Sequence, residues 1–125
     1  MTTSNKIKNF FNKNFKIGNK KVCKDSRCIV IAEVGVNHNG DMKIAKKHID
    51  EAAAAGADIV KFQTFITEEF LSDKNESYEY LSKGKLVKEN MFDMFKRLEF
   101  NRLQFQELSD YCRKKKIIFM STPCD

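Results

Sequence analysis

The chain has 125 residues, with 23 Lys and Arg against 17 Asp and Glu, and a formal charge of +6. That length allows one small domain at most, and an apolar fraction of 42% with 11 Phe supplies a core and excludes wholesale disorder. No apolar run approaches the ~18 residues needed to cross a bilayer, and five Gly with one Pro exclude a collagen-like or linker-rich chain.

The charge is unevenly spread. Residues 1–27 hold eight basic groups and a single acid, Asp25, whereas the rest of the chain holds 15 basic and 16 acidic groups. A body this close to neutral argues against a surface built for nucleic acid. The leader reads as a solvated, lysine-rich segment, with an anion-binding arm as the other reading. Its charges are not followed by an apolar stretch of about 7–15 residues and a small-residue cleavage site, so it does not read as a signal peptide and the expected location is the cytoplasm. Cys23, Cys28, Cys112 and Cys124 are separated by four, 83 and 11 residues. That spacing matches no zinc pattern, and free thiols are expected in a reducing compartment; metal or redox use is the alternative.

In chain order, residues 1–14 read as a basic tail in which Phe10 and Phe11 are candidate anchors. Residues 15–22 read as a short hairpin turning at Gly18-Asn19. Ile29 to Val34 is an apolar run broken only by Glu33, the pattern of a strand buried on both faces. Gly35 to Gly40 is a loop. The helix that follows is capped by Asp41 or Asn39, carries Ile44, Ala45, Ile49 and Ala52 at helical spacing, and ends near Ala55 before Gly56. Ile59 to Gln63 is a second strand, completing a βαβ unit. Thr64 to Lys88 is polar and reads as a long functional loop or lid. Helices are expected over Glu89–Leu98 and, from an Asn101 cap, to about Lys115, with Arg113 to Lys116 opposing the negative end of the dipole. Ile117 to Ser121 is a third strand. Right-handed crossovers place the three parallel strands side by side. The fold class is therefore α/β. A full eight-stranded βα barrel takes ~250 residues, so the pattern is either a small open sheet or about three-eighths of a barrel.

Folds of this type carry their chemistry at the carboxyl ends of the strands. Glu33 ends the first strand, Lys61 and Gln63 the second, and Ser121 and Thr122 the third. Alternation puts Lys61 and Gln63 on one face with Phe62 opposite. Charges inside a sheet need partners, so Glu33 and Lys61 are either a structural ion pair or an anion site with a carboxylate beside it. Lys61 suits a phosphate or carboxylate as a point charge, and the Gln63 amide suits a hydroxyl-rich ligand. Backbone N–H groups after the third strand, with Thr122, would complete an anion cradle. His38, in the Asn37-His38-Asn39-Gly40 loop, is open between loop structure, substrate contact and metal ligation; His48 reads as structural.

Three blocks carry a family resemblance: Ile31-Ala32-Glu33-Val34-Gly35-Val36-Asn37-His38-Asn39-Gly40, then Gly56-Ala57-Asp58-Ile59-Val60-Lys61-Phe62-Gln63-Thr64, then Phe119-Met120-Ser121-Thr122-Pro123. Together, in this order, residues 15–125 resemble the N-terminal portion of the sialic acid synthase family, which includes N-acetylneuraminate, legionaminate and pseudaminate synthases and spore-coat relatives. The resemblance implies a (β/α)8 TIM barrel, of which this chain holds about three strands. It implies condensation of phosphoenolpyruvate with an N-acylated amino sugar to a nine-carbon acid, with release of phosphate. It also implies a divalent cation, manganese, whose ligands come from strands this chain does not carry, and homodimers of the full-length enzymes. Nucleic acid and membrane are not implied partners. By position, Lys61 would bind phosphoenolpyruvate with help from Thr122 and Ser121, Gln63 would face the sugar, and Glu33 would be the catalytic, proton-handling or orienting carboxylate. Where the family has an aromatic residue after Thr122-Pro123, this chain has Cys124. Alone it is expected to be inactive; the other reading is a split-enzyme piece that acts with a complementary C-terminal chain.

Overall fold

The computed structural model describes residues 14–124, so the proposed anchors Phe10 and Phe11 lie outside the described residues. The chain divides into two compact units at Val30/Ile31. In the first, β1 (Phe15–Ile17) and β2 (Lys20–Val22) form the expected antiparallel hairpin, with Phe15 opposite Val22 and Ile17 opposite Lys20. Gly18 turns it at φ 58°.

The second unit is built on a parallel sheet of β3 (Ile31–Gly35), β4 (Ile59–Thr64) and β7 (Ile118–Pro123), in the order β3-β4-β7. The helix α1 (Met42–Ala54) joins β3 to β4. Its N-cap is Asp41, whose carboxylate accepts from the Lys43 and Ile44 N–H groups, and Gly56 ends it at φ 79°. Before β7 comes α4 (Arg102–Lys115), capped by Asn101 in a reciprocal pair with Gln104 and carrying Arg113, Lys114 and Lys115 in its last turn.

Register sorts the strand residues into two faces. Ala32, Val60, Phe62 and Phe119 face the helices and join Ala45, Ile49, Leu108 and Cys112 in the core. Phe62, Ile49 and Leu108 are fully buried. On the other face the residues stack in layers. Ile31, Ile59 and Ile118 are aligned; next come Glu33, Lys61 and Met120; then Gln63 and Thr122.

The stretch from Thr64 to Lys88 is not the structureless loop that its polarity suggests. It holds a one-turn helix α2 (Thr67–Phe70) and a hairpin of β5 (Ser77–Ser82) and β6 (Lys85–Asn90). The hairpin turns at Lys83-Gly84, both at positive φ (50° and 77°). That is the pattern of the primed two-residue turn whose twist matches paired strands. The helix α3 (Met91–Leu98) therefore starts at an Asn90 cap, two residues later than expected, because Glu89 and Asn90 belong to β6.

Gly40 is where this excursion meets the sheet. It sits at φ 72°, and a Cβ there would lie 2.3 Å from the Arg97 carbonyl oxygen. Gly56 has a similar φ of 79° but open space around it. Gly56→Ala is expected to cost only the left-handed strain, about 1–2 kcal/mol. Gly40→Ala adds a backbone clash and is expected to cost about 3 kcal/mol or more. Urea unfolding of the two variants checks the difference.

Candidate functional site

The site is made by register. Glu33 on β3 and Lys61 on β4 are direct partners in the parallel ladder, so their side chains leave the same face side by side. Lys61 Nζ lies 2.9 Å from Glu33 Oε2. Neither is sealed from solvent: the Lys61 side chain is 30% exposed and that of Glu33 50%.

Beyond Glu33 the ladder slips. The register shifts between Glu33 and Gly35, so Gly35 rather than Val34 pairs with Phe62. Such an irregularity re-aims the side chains next to it. Gly35, at φ 54°, lies beside both neighbours: the position a Cβ would take is 3.6 Å from Glu33 Oε1 and 3.8 Å from Gln63 Oε1. Glu33 and Gln63 thus flank one glycine, and Lys61 joins the group through its contact with Glu33. Thr122, the ladder partner of Gln63, is on the same face and exposed.

Ser121 is not brought into this group. It pairs with Phe62, on the opposite face, and its hydroxyl bonds that of Thr64. Alternation decides this: of two neighbouring residues on a strand only one faces the site. Cys124, the departure from the family pattern, donates its N–H to the Thr64 carbonyl at 3.0 Å and so prolongs the ladder.

His38, open between three readings from sequence, is built into the loop. It is 1% exposed and stacks on Phe100 with centroids 4.1 Å apart and rings 17° from parallel. The Gly40 N–H donates to Nδ1 at 3.1 Å, which puts the ring proton on Nε2. Burial, with His48 nearby, pushes its pKa down to about 4. This neutral, stacked ring is invisible in a motif that shows only a histidine between two asparagines. His48 sits with Nε2 3.4 Å from the Asn37 carbonyl oxygen.

All four cysteines are free thiols; Cys112 is buried, and burial pushes its thiol up to about 12. Among the described residues no three His, Cys, Asp or Glu side chains are grouped to hold a metal ion. No helix among them is long and apolar enough to cross a membrane.

A parallel sheet, covered by helices on one face and carrying a polar group toward the carboxyl ends of its strands on the other, defines a domain of the βα-barrel type. The profile of the NeuB family matches residues 48–125, and the chain belongs to that family. It is 41% identical over 111 residues to the spore coat polysaccharide biosynthesis protein SpsE of Bacillus subtilis, covering 89% of this chain and 29% of that protein. It is 41% identical over 99 residues to the N,N'-diacetyllegionaminic acid synthase of Campylobacter jejuni, covering 79% of this chain and 30% of that enzyme. The N-acetylneuraminic acid synthetase of Leptospira borgpetersenii, solved in complex with citrate, superposes with a TM-score of 0.73 at 32% identity, covering 91% of this chain and 35% of that one. The resemblance seen in the three sequence blocks and the partial TIM-barrel fold with its leading hairpin are both borne out. The chain spans less than a third of the length of these curated relatives.

The His38 environment predicts a pH dependence of stability. Its folded pKa lies below the ordinary 6.5, so the unfolded chain binds the extra proton between those values. This contribution is complete above about pH 6.5 and is lost as pH falls toward about 4, a change of about 2–3 kcal/mol. Urea unfolding across that window should show a steeper slope in the wild type than in His38→Asn, which keeps only the part due to carboxylates held low in the fold.

Proposed function

We propose that this chain supplies the phosphoenolpyruvate-gripping part of a synthase that joins phosphoenolpyruvate to an N-acylated amino sugar, forming a nonulosonic acid and releasing phosphate. The observation that carries the reading is the contact of Lys61 with Glu33 at 2.9 Å on an open face, one layer before Gln63 and Thr122. Membership of a family whose relatives include legionaminic and sialic acid synthases supports it.

In this reading the chemistry divides by residue type. The Lys61 ammonium has three N–H donors; Glu33 takes one and fixes the direction of the others toward the carboxylate or phosphate of phosphoenolpyruvate. Thr122, exposed on the same face, donates its hydroxyl to the same anion. The Gln63 amide both donates and accepts, which matches the hydroxyls of a sugar. Glu33 is the group within reach to handle the proton as the sugar aldehyde becomes an alcohol. Ser121 contributes through Thr64, by tying together the ends of β4 and β7. The divalent cation would be held by side chains outside the described residues, and homodimer formation likewise belongs to the longer enzyme.

A second reading, in which this chain turns over substrate only with a complementary chain, is favoured by one feature. The two outer strands of the sheet, β3 and β7, are each paired on a single side among the described residues, and Ile31 is 42% exposed.

Calorimetric titration with phosphoenolpyruvate tests the site. Lys61→Met is expected to weaken binding by about a hundredfold, on the order of 3 kcal/mol for a lost charge-assisted contact, while the protein stays folded. Wild-type affinity in that variant would remove Lys61 from the reading. A phosphate-release assay is expected to show little turnover by the 125-residue chain alone.

A further inference from the structure

The short junction between α3 and α4 is gripped from two directions, and both grips come from segments that leave the site strands. From β3, the loop of residues 36–40 brings His38 onto Phe100 and packs Gly40 so closely on Arg97 that a Cβ would lie 2.3 Å from its carbonyl oxygen. From β4, the chain runs three residues past Thr64 to Thr67, whose N–H and hydroxyl both donate to Glu99 Oε2, at 3.0 and 2.7 Å. Thr67 is fully buried and His38 1% exposed. Lys96 closes the far side, 3.1 Å from Glu99 Oε2 and 3.0 Å from Glu68 Oε1.

These contacts sit where the sheet needs them. The β3–β4 ladder is regular up to the Glu33–Lys61 pair and shifts between Glu33 and Gly35, so backbone pairing is irregular just past the carboxylate. Placement of the β3 end relative to the β4 end then depends on what holds the two outgoing segments, and both are held at residues 97–100. We propose that this junction is the positioning clamp of the site, with His38 and Glu99 as positioning residues that hold the ends of β3 and β4, and with them the Glu33 and Lys61 side chains, against each other without touching either. For its effect on ligand affinity, the proposal rests on the phosphoenolpyruvate reading above. The clamp itself is a statement about the Glu33–Lys61 contact.

The test uses the full 125-residue chain with paired variants. His38→Phe keeps a ring for the stack and removes the acceptor for Gly40, whereas His38→Asn keeps an acceptor near the Nδ1 position. Thr67→Val removes one donor to Glu99 with no loss of volume, and Glu99→Gln keeps the accepting oxygen. Three quantities are read: the thermal midpoint, the affinity for phosphoenolpyruvate, and the nuclear Overhauser contact between the Lys61 and Glu33 side-chain methylenes. His38→Phe and Thr67→Val are expected to remain folded, to lose most of that contact, and to bind phosphoenolpyruvate about tenfold more weakly, the scale typical of residues that orient a binding group. His38→Asn and Glu99→Gln are expected to recover most of both. Folded His38→Phe and Thr67→Val proteins with an intact Lys61–Glu33 contact overturn the clamp. If the wild type itself fails to bind phosphoenolpyruvate, the functional reading falls, and the Lys61–Glu33 contact alone decides the clamp.

Discussion

The second unit depends on one register: β3 against β4, with Glu33 opposite Lys61. A slip of β3 by a single residue would turn Glu33 into the apolar layer against α1 and α4 and bring Val34 out to the open face. The reverse dependence is weak. A half-exposed ion pair contributes only about 0–1 kcal/mol, because water screens it and two long side chains must be ordered to make it. Burial of Phe62, Ile49 and Leu108, at about 2–3 kcal/mol each, sets the register, and the ion pair follows. The pair therefore reads as something the fold holds in place rather than something that holds the fold.

The same logic separates the two histidines and the acids from the site. His38 is kept neutral by burial, spends Nδ1 on the Gly40 N–H and stacks on Phe100, so it has no free group to offer a ligand and can act on the site only through its neighbours. Glu99 is held low by Thr67 and Lys96 despite partial burial. Asp50 is held low by Lys115 and Tyr111, which ties α1 to α4. Each of these groups has its partners among neighbouring elements. Glu33 and Lys61, on the open face, have each other and solvent.

Much of this was legible in the residues. Continuous apolar strands around an amphipathic helix gave the βαβ unit. Asp41, Gly56 and Asn101 placed helix ends to within a residue, because caps act locally. Lys61 and Gln63 on one face followed from alternation alone. What the residues hid was of two kinds. The β5–β6 hairpin has charged or polar residues on both faces and turns at Lys83-Gly84 rather than Asn-Gly, so neither a buried alternation nor a strong turn signal announces it. Ser121 looked equivalent to Thr122 because both sit at a strand end, and only the β4–β7 register shows which one faces the site. The close approach of Gly40 to Arg97 joins positions 57 residues apart, and no local pattern encodes it.

The charges elsewhere in the second unit sharpen the meaning of Lys61. Arg113 pairs with Asp110, Lys88 with Glu79, Arg97 with Glu89 and Lys46 with Glu107. Those cations ride on helices or on the hairpin, at the ends of flexible arms that can re-pair at little cost. Lys61 instead leaves the central strand of the sheet, with a ladder partner on either side and its carboxylate delivered by the neighbouring strand. An ammonium held in this way has less freedom left to lose than one on a flexible arm, and that smaller ordering cost is the physical ground for the anion-binding reading proposed above.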